Sequence, residues 1–183
     1  METAIIVNKD GFQFSKQGTN QYNAGFTLEN NKIRIPAIIN IDFVKVIYDL
    51  SPDLFESVSL AKINESEAIL TLLVKPLFED LGVSQKFICL HIRRIQTRSS
   101  IIFESQTIHS KRPDTIPDDV DLVNIVKLTN EFTIHSNHNV DVINKIVLDD
   151  DIVIPPFVDK IVGTLLSKIF NRVKQFIEIM TIK

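Results

Sequence analysis

Hydrophobic positions change period three times along this chain of 183 residues. Residues 1–31 carry the weakest signal. Gly11, Gly18 and Gly25 punctuate short segments holding Phe12, Phe14 and Phe26, a spacing that fits either a peripheral hairpin or a mobile arm. From Lys32 the pattern sharpens. Lys32-Ile33-Arg34-Ile35 alternates with period two and stops at Pro36, which predicts a strand. Ile41, Phe43, Val44, Ile47, Tyr48 and Leu50 then recur at helical spacing, with Asp42 placed to complement the helix dipole. Ser51-Pro52-Asp53 ends that helix and caps a predicted short second one through Leu54, Phe55 and Val58.

Six strands are expected next, at residues 57–63, 68–75, 85–96, 99–109, 122–134 and 140–148. Asn64-Glu65-Ser66-Glu67, Thr97-Arg98 and His135-Ser136-Asn137-His138-Asn139 separate successive pairs, and such tight connections imply antiparallel pairing. Residues 110–121, with two prolines and four aspartates, read as a loop. The strongest periodicity comes last. Phe157, Val158, Ile161, Val162, Leu165, Leu166, Ile169, Phe170, Val173, Phe176, Ile177 and Met180 share one helical face. Asp159, Lys160, Thr164, Ser167, Lys168, Asn171, Arg172, Lys174, Gln175 and Glu178 fill the other. With Pro155 and Pro156 at its start, this helix runs from 155 to 181 and spans about 40 Å. A stripe that wide has to lie across a sheet or another chain. Gly163 within it either admits a close strand or weakens the helix by about 1 kcal/mol relative to Ala.

Strand, two helices, six strands, long helix: this order predicts an α+β domain over 32–183, an antiparallel sheet of about six to seven strands wrapped on the C-terminal helix. It resembles the helix-grip fold of the START and polyketide-cyclase (SRPBCC) superfamily, which includes the birch-pollen-allergen-like proteins. Ile33-Arg34-Ile35-Pro36-Ala37 followed by Phe43-Val44-Lys45-Val46-Ile47-Tyr48-Asp49-Leu50 looks like the opening of that family, and Ile154-Pro155-Pro156-Phe157 like its approach to the final helix. The resemblance covers about residues 32–181 and rests on element order. It implies a hydrophobic small molecule or lipid held between sheet and helix. One departure is plain: Gly82-Val83-Ser84-Gln85-Lys86 holds a single glycine where the allergen-like branch has a glycine-rich loop, so no phosphate-cradling loop carries over.

Composition narrows the alternatives. Ile outnumbers Ala 28 to 5, which favours strand chemistry. An apolar fraction of 44% and a charged fraction of 23% are those of a globular protein. A net charge of −3 gives no field to attract nucleic acid. Cys89 is the single cysteine, so an intrachain disulfide and a four-thiolate zinc site are excluded. No run approaches the roughly 18 apolar residues of a membrane span, and Ala4-Ile5-Ile6-Val7 is too short for a signal-peptide core; a cytoplasmic location is expected. Lys160, Lys168, Arg172 and Lys174 on the polar face of the last helix allow at most peripheral membrane contact.

Alternation then selects candidate site residues. Even positions of 122–134 and 140–148 form the apolar faces, and they include Asn124, Asn130 and Asn144. Inward amides need partners, and a ligand or cavity water is one source; a strand edge or bulge is the other. Lys127, Glu131 and Lys145 should face solvent. The expected lining is Leu128, Phe132, Val162, Leu165, Leu166 and Ile169, with the three asparagines as polar anchors and Arg94 at the rim to meet a carboxylate or phosphate. His91, His109, His135 and His138 show no diagnostic metal spacing, and Asp149-Asp150-Asp151 lacks the glycine and ligand spacing of a calcium loop. No cofactor, metal site or catalytic constellation is indicated. The alternatives to a carrier are an interaction domain with a filled core, whose surface or N-terminal arm binds protein partners, and an enzyme of cyclase or hydrolase type.

Overall fold

In a computed structural model, residues 3–77, 79–82, 84–109, 112–150, 154 and 156–181 are described. The strands are β1 (Thr3–Lys9), β2 (Phe12–Gln17), β3 (Gln21–Glu29), β4 (Phe55–Asn64), β5 (Glu67–Val74), β6 (Lys86–Gln96), β7 (Ser100–Thr107), β8 (Asp121–Leu122), β9 (Ile125–Ser136) and β10 (Asn139–Leu148). The helices are α1 (Ile35–Ile38), α2 (Ile41–Asp49) and α3 (Pro156–Ile179). Nine strands run in the order β1-β2-β3-β10-β9-β7-β6-β5-β4, all antiparallel, and β8 pairs parallel to β6. This is the α+β helix-grip architecture, with more strands than the six or seven expected.

Three of the additional strands come from the first 29 residues, and the fourth is the two-residue β8. Tyr22, Ala24, Phe26 and Leu28 of β3 alternate into the core, and Phe12 and Phe14 of β2 are fully enclosed. β3 pairs with β10 along nine registered positions, so the N-terminal segment is continuous with the rest of the sheet. The rings of Phe12 and Phe26 pack against Phe170 of α3, at centroid distances of 5.8 and 4.7 Å.

Two local expectations fail. Lys32-Ile33-Arg34 is not a strand. Pro36 sits in the first turn of α1, where its missing N–H costs nothing. The chain there is tied to the β9–β10 turn by Asn30 N to His138 O (3.0 Å) and Ile35 N to Asn137 O (2.8 Å). The second helix through Leu54, Phe55 and Val58 is absent too: Ser51–Leu54 make a turn and Phe55 opens β4, because pairing with Val74 and Leu72 of β5 outweighs the local helical spacing. α2 starts as expected, and the Asn40 side chain caps it by accepting from Phe43 N at 3.1 Å.

α3 is held at both ends. Asp159, assigned to the polar face by spacing, is buried. It accepts from the Tyr22 hydroxyl (2.7 Å) and the Lys16 ammonium (2.9 Å), because β2 and β3 rise beside the helix start. At the far end, buried Asn30 donates to the carbonyls of Ile177 (2.5 Å) and Met180 (3.0 Å), satisfying acceptors that a helix end leaves open. Midway, Gly163 settles its two readings in favour of close approach: a Cβ there would lie 2.8 Å from the Phe14 ring and 2.9 Å from Val7. Pro155 lies outside the described residues.

A second apolar cluster covers the outer face. Leu73, Phe87 and Cys89 are buried under Ile116 and Val120 of the loop before β8, and Arg112 stands over the Phe87 ring at 4.9 Å. Cys89 is therefore an ordinary apolar residue here.

Candidate functional site

Cross-strand register aligns the inner face into rows. One row reads Ala24–Asn144–Asn130–Phe103–Arg94, and the next Tyr22–Ile146–Leu128–Ser105–Ile92–Ala68. Between these rows, α2 and α3, the interior does not close completely. A cavity of about 150 Å³ remains. Its walls are Leu70, Leu90, Phe103 and Phe132 from the sheet, Val44 and Ile47 from α2, and Leu166, Ile169 and Phe170 from α3, among others.

Four polar side chains share that lining: Tyr48, Ser105, Asn130 and Asn144. Asn144 and Asn130 hydrogen-bond to each other, yet the Asn144 amide oxygen is buried with no partner. Such an orphan costs on the order of 1–3 kcal/mol. Burial pushes the Tyr48 hydroxyl up to about 12, so it stays neutral and available as a donor. Lys, Arg, His, Asp and Glu are absent from the lining among the described residues.

Of the residues selected from sequence, Asn130, Asn144, Leu128, Phe132, Leu166 and Ile169 meet around this cavity. Val162 and Leu165 are half-buried and pack on the core beside it. Asn124 lies elsewhere, with its amide donating to Asp149 Oδ2 at 2.8 Å. The reason is a β-bulge. Between Leu148 and Val147 the partner on β9 shifts from Ile125 to Lys127, so Val126 is an extra residue, 51% exposed. The bulge reverses the alternation before it: Ile125 turns inward and Asn124 away. Arg94 shares an inner-face row but sits at its end, donating to the Ile39 carbonyl (3.2 Å) and Gln96 Oε1 (2.7 Å). It joins β6 to the end of α1 instead of a cavity rim. Lys127 and Lys145 are exposed and Glu131 half-buried.

His135, His138 and Asp149 have structural partners. His135 Nε2 is 2.7 Å from Asp141, and His138 Nδ1 donates to the Ile33 and Asn30 carbonyls (2.8 and 3.0 Å). Asp149 offers its backbone carbonyl to Asn20 at 2.6 Å, while Asp151 lies outside the described residues. Among the described residues, no group of three potential ligands for a metal ion occurs, and no helix is long and apolar enough to cross a membrane. The wall from α2, including Tyr48, and the Ser105 hydroxyl were missed from sequence. The helical spacing of Val44, Ile47 and Tyr48 was visible, but not the side of the sheet on which α2 packs.

No protein-family model matches the chain, and no curated protein matches its sequence. Solved structures do match its shape. The lipid transfer and protein localization domain of human StarD13 (DLC2) superposes with a TM-score of 0.71 at 8% identity, covering 98% of this chain and 90% of that one. Human STARD10 gives 0.70 at 8% identity, covering 96% and 72%. A STAR-related lipid transfer protein fragment from Xanthomonas axonopodis gives 0.63 at 14% identity, covering 94% of each chain. The chain therefore shares the helix-grip fold of these START-related lipid transfer structures. At these identities the likeness establishes the fold.

Proposed function

We propose that this protein binds a hydrophobic small molecule, or an apolar segment of a lipid, between the sheet, α2 and α3. The observation that carries the reading is the cavity of about 150 Å³, apolar on nearly every wall. Apolar cavities of about this size stay dry and admit a guest of about benzene's volume. Pockets for drug-sized ligands run from about 300 to 1,000 Å³. The space as it stands thus takes one ring or a short chain segment, and a larger ligand requires its walls to move apart. Solved neighbours described as lipid transfer proteins share the architecture, which supports the same ligand class. Among the described residues the lining holds no pair of titratable groups, which supports the binding reading.

The test is a benzene titration followed by amide chemical shifts, in the parent protein and in Ile169→Phe. Saturable shifts confined to the lining, lost in a variant whose thermal stability is preserved, are expected. In a filled interior the enlargement would instead cost roughly 1–3 kcal/mol. A destabilised variant together with no saturable binding by the parent would leave the domain with a packed core and no ligand.

A further inference from the structure

The sheet is open, and its two margins differ. β1 and β4 each have a strand neighbour on one side only, and an edge of that kind carries a row of unpaired backbone N–H and C=O groups. β1 is interrupted in its middle by a register shift between Ile5 and Val7, and a bulge blunts an edge. In β4 the shifts fall at the two ends, between Phe55 and Ser57 and between Lys62 and Asn64, so the backbone over 57–62 is regular. Among the described residues no backbone hydrogen bond from a loop, turn or cap reaches that stretch. Its side chains sort by face. Val58 and Leu60 are half-buried against the core, and Lys62 reaches Asp42 of α2 at 2.6 Å, so these three point inward. Ser57, Ser59 and Ala61 are small and exposed on the outer face. Glu56 and Lys62 are the only charges of the strand, one near each end.

We infer that the β4 edge pairs with the β4 edge of a second copy of this chain, antiparallel about a two-fold axis at Ser59. Directly opposed side chains in such a ladder share a face. Val58 of each copy then meets Leu60 of the other on the inner face, and Ser57 meets Ala61 on the outer one. Glu56 meets Lys62 at both ends, and the length of these two side chains spans the looser alignment beside the bulge. A slip of one residue would set inner faces against outer ones. A slip of two would leave both charges opposite neutral side chains. The strand is thus complementary to itself in face and in charge, which is what a two-fold contact between identical chains requires. One pair of edge strands is a small contact beside the roughly 1,600 Å² of a standard interface, so the dimer dissociates on dilution. The contact lies at the sheet margin and is independent of the binding reading above.

Sedimentation velocity of the intact protein over a concentration series measures the equilibrium, and a reversible monomer–dimer transition is expected. Ser59→Lys sets two ammonium groups face to face on the axis from an exposed position. It should raise the dimer Kd about two- to fivefold while leaving the Tm of the monomer unchanged. Glu56→Lys turns two attractive pairs into repulsive ones and should raise the Kd about tenfold or more. Combining Glu56→Lys with Lys62→Glu swaps the charges and should recover the parent Kd to within about threefold. Where Lys62→Glu lowers the Tm by disturbing Asp42, the two single variants decide the matter without it. A protein that stays monomeric throughout the series overturns the inference. So does a dimer that tolerates Ser59→Lys and Glu56→Lys alike, or a folded double variant that fails to recover.

Discussion

Gly163→Ala sets two opposing effects against each other on α3. In an exposed helix this change is favourable by about 1 kcal/mol, because Ala loses less backbone freedom. Here the added methyl carbon would sit 2.8 Å from Phe14 Cδ1, 2.9 Å from Val7 Cγ2 and 3.3 Å from Phe14 Cε1. Val7 is half-buried on the edge strand β1 and can rotate away. Phe14 cannot: it is fully buried and stacked on Tyr22 at 5.5 Å with an interplanar angle of 3°, and Tyr22 is in turn bonded to Asp159. Overpacking of this kind costs roughly 1–3 kcal/mol. The net expectation is a loss of about 1 kcal/mol, or a Tm about 2–4 °C lower for a domain of this size. Thr164→Ala, one residue along on the exposed face, is the control; helix propensity alone should leave its Tm unchanged or slightly raised. Both variants are measured by thermal denaturation with circular dichroism. A Gly163→Ala protein that melts higher than the parent would mean that α3 stands off β1 and β2, and the seating of the helix described above would be wrong.

Two further perturbations address the ends of α3. Asn30→Ala should destabilise by about 1–3 kcal/mol, since the Ile177 and Met180 carbonyls lose their donor in a buried setting; a chemical-denaturation midpoint unchanged from the parent would contradict that. At the other end, burial lowers the Lys16 pKa, but the hydrogen bonds to Asp159 and Tyr22 outweigh it and leave the value above the ordinary 10.5. Burial, then the bond to Asp159, raises Tyr22 above 10.0. In both cases the folded state holds its proton more tightly than the unfolded chain. Their contribution is complete below about pH 10 and declines as pH rises through the folded values. Tm should therefore fall as pH rises above about 10, less steeply in Asp159→Asn; equal slopes for parent and variant would refute the role given to that cluster.

Much of this arrangement was legible because its periods are long and clean. α3 carries its stripe over six turns, and the later strands are bounded by polar turns, so helix-on-sheet order followed directly. The N-terminal strands were harder. Tyr22, Ala24, Phe26 and Leu28 do alternate, but Gly25 and polar neighbours break the signal, and only pairing with β10 makes the segment a strand. Leaving residues 1–31 open between a hairpin and an arm also hid the burial of Asp159, whose partners Lys16 and Tyr22 lie there. Four alternating residues at Lys32–Ile35 could not separate a strand from the approach to a helix in which Pro36 is tolerated. At the cavity, Asn130 and Asn144 were placed by simple alternation, whereas Asn124 was misphased by the bulge at Val126. A bulge leaves no dependable mark in a single sequence, because it is set by the partner strand. The α2 wall needed tertiary packing to appear.

Whether the interior is a ligand cavity or a packed core is decided most directly by a crystal structure under xenon pressure. Xenon enters dry apolar cavities of this size without requiring a specific polar contact. The account predicts a xenon site enclosed by Leu90, Phe103, Phe132 and Ile169, with the backbone of α3 unmoved. Side chains meeting in close contact across that space, with no xenon bound, would contradict it.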